Sequence, residues 1–456
     1  MLNCFVSEKT NSIPIILVPI ETFPEWLSHQ SEWIKTWLSD IKFFAEIGKI
    51  ALFPSEKGRF SCVLCCVSDQ GNHWDVGHLP FVLPEGEYSL DEKNMLYPSY
   101  AIAWGLGAYQ FNRYKNQTKQ PAKLYLSPQF SSLVLNMTES IYFVRNLINT
   151  PTDDMGPSEF TFFTEELAKQ YKAQFSQIIG EDLLKQNYAS IYTVGRASDD
   201  APRLLDLRWG NPKYRKVTLV GKGVCFDSGG LDIKPSAYML LMKKDMAGGA
   251  HVLGLARMIM QANLPLCLRV LIPVVENVIS GNAYRPGDII KSRKGTTIEI
   301  GNTDAEGRVV LADALTEAVS ETPNLLIDIA TLTGAARVAL GTELPAVFSN
   351  HDETVEKVIH YGRKENDPLW RMPLFAPYRE YLNSTIADIN NNSSESYGGA
   401  IAAALFLNEF VPDNLPWLHF DLMAWNLRAR PGRPQGGEAM GLRALFGYLS
   451  DYARTV

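Results

Sequence analysis

The sequence predicts an α/β protein in two domains: a small N-terminal α/β domain, and a larger C-terminal domain whose mixed, largely parallel central sheet is flanked by helices. Three observations carry this expectation. The 456 residues exceed what one hydrophobic core ordinarily holds. Short apolar runs alternate with stretches of helical periodicity along the whole chain. In the second part, the strands read as continuous apolar runs, the pattern of parallel strands covered by helices on both faces.

Residues 1–130 carry the strand candidates "PIILVPI" and "FSCVLCCVS" and the helical stretches "EWLSHQSEWIKTWLSDIKFFAEIG" and "SYAIAWGLGAYQFNRYK". The polar cluster "KNQTKQPAK" follows. A connector spans 131–158. Its helical segment, "FSSLVLNMTESIYFVRNLINTP", has apolar residues three and four apart and stops before Pro151. Residues 159–456 make the larger domain, with strand candidates "SIYTVG", "KVTLVGKG", "LCLRVLIPVV" and "NLLIDIATLTG". Between them lie helical runs such as "AGGAHVLGLARMIMQA" and "RVVLADALTEAVSE".

Composition narrows the function classes. With 46% hydrophobic and 20% charged residues, the chain reads as soluble and globular, without a disordered or fibrous signature. A formal net charge of -7 gives no electrostatic reason to expect a nucleic-acid or anionic-membrane partner. The N-terminus lacks a basic region before its short apolar run, which holds Pro14 and Pro19, so it reads as a strand and not a signal peptide. The most apolar segment, "LPLCLRVLIPVV", contains Arg269 and two prolines and is too short to span a membrane. Cys62, Cys65 and Cys66 crowd together in "CVLCC", yet no second ligand pair follows, and a buried strand of free thiols suits a reducing cytoplasm.

Ligands of such folds gather at the carboxyl ends of the strands, so the loops there are where function is sought. After "VTLVG" comes a Gly-rich segment holding Lys222, Asp227, Lys234 and Asp245; after "TTIEIG" comes "GNTDAEGRVVLADAL", with Asp304, Glu306 and Arg308 at alternate positions. A charge run alone is ordinarily a solvated surface. Here the charges lie among glycines and apolar runs, and burying several carboxylates without compensation is prohibitive, so a cation is expected. Ligand type alone leaves magnesium, manganese, calcium or zinc open. Four carboxylates exceed what one catalytic zinc needs and fit a paired site. Lys222 can ligate only as the neutral amine, which nearby divalent charge favours.

These two segments, "VGKGVCFDSGGLDIKPSAYMLLMKKDMAGGA" and "NTDAEGRVVLADAL", resemble the leucyl aminopeptidase (cytosol aminopeptidase) family of dinuclear metallopeptidases. The similarity runs from about residue 145 to 456. It implies that Asp227 and Glu306 bridge two divalent metal ions, zinc or manganese, that Asp304 completes one site, and that Lys222 and Asp245 complete the other. It further implies that Arg308 holds a bicarbonate serving as general base and that Lys234 polarises the peptide carbonyl. Met242, Thr331, Leu332 and Gly334 would line the side-chain pocket, and the family's assembly is a hexamer. The chemistry stands beside the name: paired cations make water nucleophilic near neutral pH, and a free substrate amine can take a metal position, which selects peptides with an unblocked N-terminus.

Other residues read more plainly. His251 is expected to pack inside a helix, Ser228 lacks the surroundings of a nucleophile elbow, and "GKG" is too short for a phosphate loop. Where the family commonly has His-x-Asp-x-Ala-Gly, this chain keeps His419 and Asp421 but continues with Met423, Ala424, Trp425 and Asn426. Bulk at Met423 and polarity at Asn426 therefore put a simple leucine preference in doubt. The expected protein is a cytoplasmic metallo-aminopeptidase acting on peptides. The alternative is a noncatalytic scaffold or DNA-binding protein on the same fold, which loss of a metal ligand would favour; none is lost.

Overall fold

In the computed structural model, which describes residues 2–55, 58–69 and 72–454, the chain divides into two units, Met1–Tyr142 with Leu427–Gln435, and Phe143–Asn426 with Gly436–Val456. The smaller unit is built on a six-stranded sheet in the order Phe5–Val6, Lys123–Tyr125, Glu87–Ser89, Ile13–Pro19, Phe60–Val67, Ile50–Pro54. Its neighbours run parallel except the last pair. The "CVLCC" cysteines lie on the strand Phe60–Val67, and burial pushes the Cys65 thiol up to about 12 and that of Cys66 to about 11, so both pack as protonated, apolar groups. The long helical stretch after Glu25 is broken in two, Phe23–Ser28 and Glu32–Asp40, because Ser31 takes an extended backbone and caps the second helix by accepting from Ile34 N.

The larger unit carries a nine-stranded sheet. Its strands are β1 (Gln174–Ile179), β2 (Arg203–Gly210), β3 (Arg215–Gly221), β4 (Gly223–Asp227), β5 (Leu266–Asn277), β6 (Leu325–Ala330), β7 (Ala346–Ser349), β8 (Trp370–Arg371) and β9 (Trp417–Asp421). The order is β8-β7-β9-β6-β3-β5-β2-β1, with β4 also pairing β5. The centre, β9-β6-β3-β5-β4, is parallel; β1, β2 and β7 run antiparallel to their inner neighbours. Every residue of β6 and β9 is buried, as the unbroken apolar runs required. Helix α1 (Ala247–Gln261) and helix α2 (Glu306–Ser320) cover the sheet, the latter through Val309, Val310, Leu311 and Leu315 in the main core.

One expectation fails here. "SIYTVG" is not a strand but lies in the helix Ala189–Gly195. Ile191 and Val194, three apart, turn inward together, and the buried Asp313 carboxylate accepts from Ser190 N at 2.8 Å, satisfying a donor at the helix start. A short β-branched run has no period long enough to separate the two states.

Close approach of α1 to the strand ends sets up the site. A Cβ on Gly248 would stand 2.1 Å from the Ile329 carbonyl oxygen and 2.8 Å from Lys222 N, so only glycine lets the helix start there.

Candidate metal centre

Four elements deliver the charges to the carboxyl ends of the parallel strands. Lys222 is the residue between β3 and β4, Asp227 ends β4, Asp245 lies on the short turn Met242–Met246 leading into α1, and Glu306 opens α2. Carboxylate oxygens of Asp227, Asp245 and Glu306 all lie within 4.8 Å of one another, and all three residues are buried. Lys222 Nζ is 2.6 Å from Asp245 Oδ2 and 2.8 Å from Glu306 Oε1. Lys234 Nζ is 2.8 Å from Asp227 Oδ2 and also pairs with Asp304, the more exposed member at the edge of the cluster.

Neighbouring groups aim the carboxylates. Asp227 Oδ1 accepts from Gly229 N and from Asn277 Nδ2, both at 2.9 Å, and Asp245 Oδ1 accepts from Thr331 Oγ1 at 2.6 Å. One oxygen of each aspartate is thereby fixed, leaving the other facing the ammonium groups. Glu306 differs: neither oxygen has a hydrogen-bond partner among the described residues, since Lys222 approaches Oε1 off the hydrogen-bonding direction. A buried carboxylate left this way is costly unless a cation meets it.

Charge accounting points the same way. Asp227, Asp245, Asp304 and Glu306 bring four negative charges against two from Lys222 and Lys234. Burial, with Asp227 beside it, pushes the Glu306 carboxyl up to about 8, so one member of the cluster tends to keep a proton. Burial also raises Asp304 to about 6, with Asp227 adding to the rise. Burial opposes charge on Lys222, but Asp245, Glu306 and Asp227 outweigh it and hold the amine well above its ordinary range. Both lysine amines thus sit as ammonium groups among carboxylates that outnumber them. Arg308 stands one helical step on; its Nη1 donates to the Asn391 carbonyl at 2.8 Å, while Nε is buried without a partner among the described residues. Burial lowers it to about 10, which leaves it charged at neutral pH and open to an anion.

Residues 142–446 match the catalytic domain of the cytosol aminopeptidase family, and residues 13–127 match the N-terminal domain of M17 aminopeptidases. The chain belongs to the cytosol aminopeptidase family. The probable cytosol aminopeptidase of Syntrophotalea carbinolica is 42% identical over 311 residues, 67% of this chain and 62% of that relative's length. A crystal structure of the cytosol aminopeptidase from Coxiella burnetii shares 51% identity and a TM-score of 0.97, covering 99% of this chain and 100% of that one. The bottromycin maturation enzyme BotP, solved in complex with Mn, shares 30% identity and a TM-score of 0.87, covering 98% and 100%.

Members of this family are aminopeptidases, hence hydrolases, and the two-domain α/β architecture expected from the sequence is theirs. In this member, Met242 and Thr331 are buried, Leu332 is half-buried and Gly334 exposed. Asp421 organises their turn by accepting from Leu332 N, Thr333 N and Thr333 Oγ1. Asn426, read from sequence as a polar change in the pocket, donates its amide to Glu438 at 2.6 Å, and Glu438 in turn holds the buried Arg145. Met423 is half-buried. Ala424 sits at φ 55°, the left-handed region where the family pattern has glycine, at a cost on the order of 1 kcal/mol. His251 packs as expected, its ring bonded to the Ala247 carbonyl at 2.6 Å and accepting from Met440 N at 3.0 Å. Asn277, Thr303 and Asn391, which brace the site, escaped the sequence reading; a polar residue closing the apolar strand β5 was the available signal for Asn277.

Proposed function

We propose that this protein is a metal-dependent aminopeptidase that removes N-terminal residues from peptides in the cytoplasm. The observation that carries the reading is the buried Glu306 carboxylate, without a hydrogen bond among the described residues, set against Asp227, Asp245 and Lys222. Asp227, Glu306, Asp304, Asp245 and Lys222 would hold two divalent ions. Zinc and manganese both suit the donor set, and the manganese bound to BotP favours the latter. Two divalent ions supply Lewis-acid charge and lower the pKa of water enough for attack at neutral pH.

The chain's own residues do the rest. Lys222 would have to give up its proton to serve as a ligand, which divalent charge beside it would favour. Lys234, paired with Asp227 and Asp304 at the edge of the cluster, would donate to the peptide carbonyl oxygen as negative charge develops there. Arg308, with its free Nε, would hold an anion such as bicarbonate to manage the proton. The substrate's unblocked amine is bound by the cluster. Met242, Thr331, Leu332 and Gly334 receive its side chain. The family resemblance is the ground for a homohexameric assembly. Among the described residues no helix is long and apolar enough to cross a membrane.

The test is hydrolysis of aminoacyl p-nitroanilides, with the amine free or acetylated, by metal-stripped protein to which manganese or zinc is restored. Cleavage confined to free amines and dependent on metal is expected. Metal-independent cleavage, or equal cleavage of acetylated substrates, contradicts the reading.

A further inference from the structure

The smaller unit holds a cavity of about 690 Å³ that has no part in the chemistry above. Its volume suits a small ligand, and its place in the sheet is specific. From the strand Ile13–Pro19 the chain crosses to Phe60–Val67 on one side, then returns to Glu87–Ser89 on the other, so the strand order reverses between Ile13–Pro19 and Glu87–Ser89. In open parallel sheets such a reversal leaves a crevice where ligands bind. Here the crevice is deepened because Glu87–Ser89 stops early. It pairs with Ile13–Pro19 only at Ile13 and Pro14, whereas the other edge of that strand is paired through to Pro19. Ile15, Ile16 and Leu17 line the cavity along the uncovered edge.

Two sets of polar groups face this space. Ile20 N donates to Val67 O, so by alternation Leu17 turns its own N–H and C=O the opposite way, into the notch, where no strand meets them among the described residues. The second set is a pair of buried hydroxyls. Tyr100, on the helix Tyr97–Gly107, is 3% exposed, and Ser89, at the end of the short strand, is 5% exposed. Both line the cavity, and neither side-chain oxygen has a hydrogen-bond partner among the described residues. Buried hydroxyls are ordinarily hydrogen-bonded, so this pair calls for a partner inside the cavity. Nothing calls for a phosphate there: Lys9, the cation on the lining, is ion-paired with Glu92 at 3.2 Å, and the other lining charge, Asp91, is negative.

We propose that this cavity is a second peptide site, which takes a short, uncharged stretch of extended chain as a strand added alongside Leu17. Main-chain groups of the peptide would pair with the Leu17 N–H and C=O and reach the Tyr100 and Ser89 hydroxyls, and Ile16, exposed beside the edge, would pack against one of its side chains. The smaller unit supplies every lining residue, so the inference stands or falls independently of the aminopeptidase reading.

The probe is acetyl-Val-Thr-Val-Thr-amide, blocked at both ends so that no free amine or carboxylate takes part, titrated calorimetrically into the full-length manganese-loaded protein. One-to-one binding is expected, weakened about 3- to 10-fold in Y100F and in S89A, each of which removes one hydrogen bond. The same peptide N-methylated at alternate residues, in either register, cannot pair as a strand and should bind the unaltered protein at least about 10-fold more weakly, a comparison that needs no variant to fold. No binding at millimolar peptide, equal binding of the N-methylated forms, or affinity unmoved by both variants would overturn the proposal. Maltotriose binding where the peptide does not would overturn it as well, by showing a site for a sugar.

Discussion

Glu306 shows how a candidate metal ligand can oppose stability. Its carboxylate is buried among like charges and its pKa is raised accordingly, so the neutral isostere should be the better resident of the metal-free fold. E306Q is expected to raise the denaturation midpoint of metal-stripped protein while abolishing metal-dependent cleavage; a midpoint that falls would show that Glu306 is an ordinary structural partner. His251 makes the opposite case. Burial lowers its pKa from 6.5 to about 4, so the unfolded chain binds the extra proton and stability falls as pH drops through that interval. Going from pH 7 to pH 5 should cost roughly 2 kcal/mol through this residue, and His251→Asn should be less sensitive over the same span in chemical unfolding. At this scale the buried cluster of charges was legible in the sequence because carboxylates among glycines and apolar runs do not read as a solvated surface. Asn426 was not, since nothing in its neighbours announces that Glu438, twelve residues on, takes its amide.

The start of α2 is the element on which the site depends most. Glu306 is its first residue, where unsatisfied N–H groups favour negative charge, and Gly307 follows with no side chain because Lys222 fills the space. A Cβ there would stand 2.6 Å from Lys222 Cε and 2.8 Å from Nζ. Gly307→Ala should leave the fold intact yet displace the amine, weakening metal binding by about 10-fold or more in a titration of stripped protein. Unchanged affinity would mean that Lys222 is not a ligand. Elements with long periods, α1 and α2, and the apolar strands β3, β5 and β6 could be read directly. The helix Ala189–Gly195 could not, being too short for its period to show, and the break at Ser31 depended on a cap rather than on hydrophobic spacing.

For the whole molecule, the two-domain plan followed from length and from the change in strand pattern after the connector, but the return of Leu427–Gln435 to the smaller unit left no trace in composition. The larger unit folds around a cluster whose four carboxylates outnumber its two lysines. Stability should accordingly be linked to metal, with free ion at 100 times its dissociation constant adding about 2.7 kcal/mol per site to unfolding. Chelation should lower the melting temperature, and manganese or zinc should restore it. The most direct measurement is the stoichiometry of metal binding to stripped protein by calorimetric titration, for the unaltered chain and for E306Q. Two ions per chain, with the paired site lost in E306Q, is the result the account predicts; a single ion, or binding that E306Q leaves untouched, would contradict it.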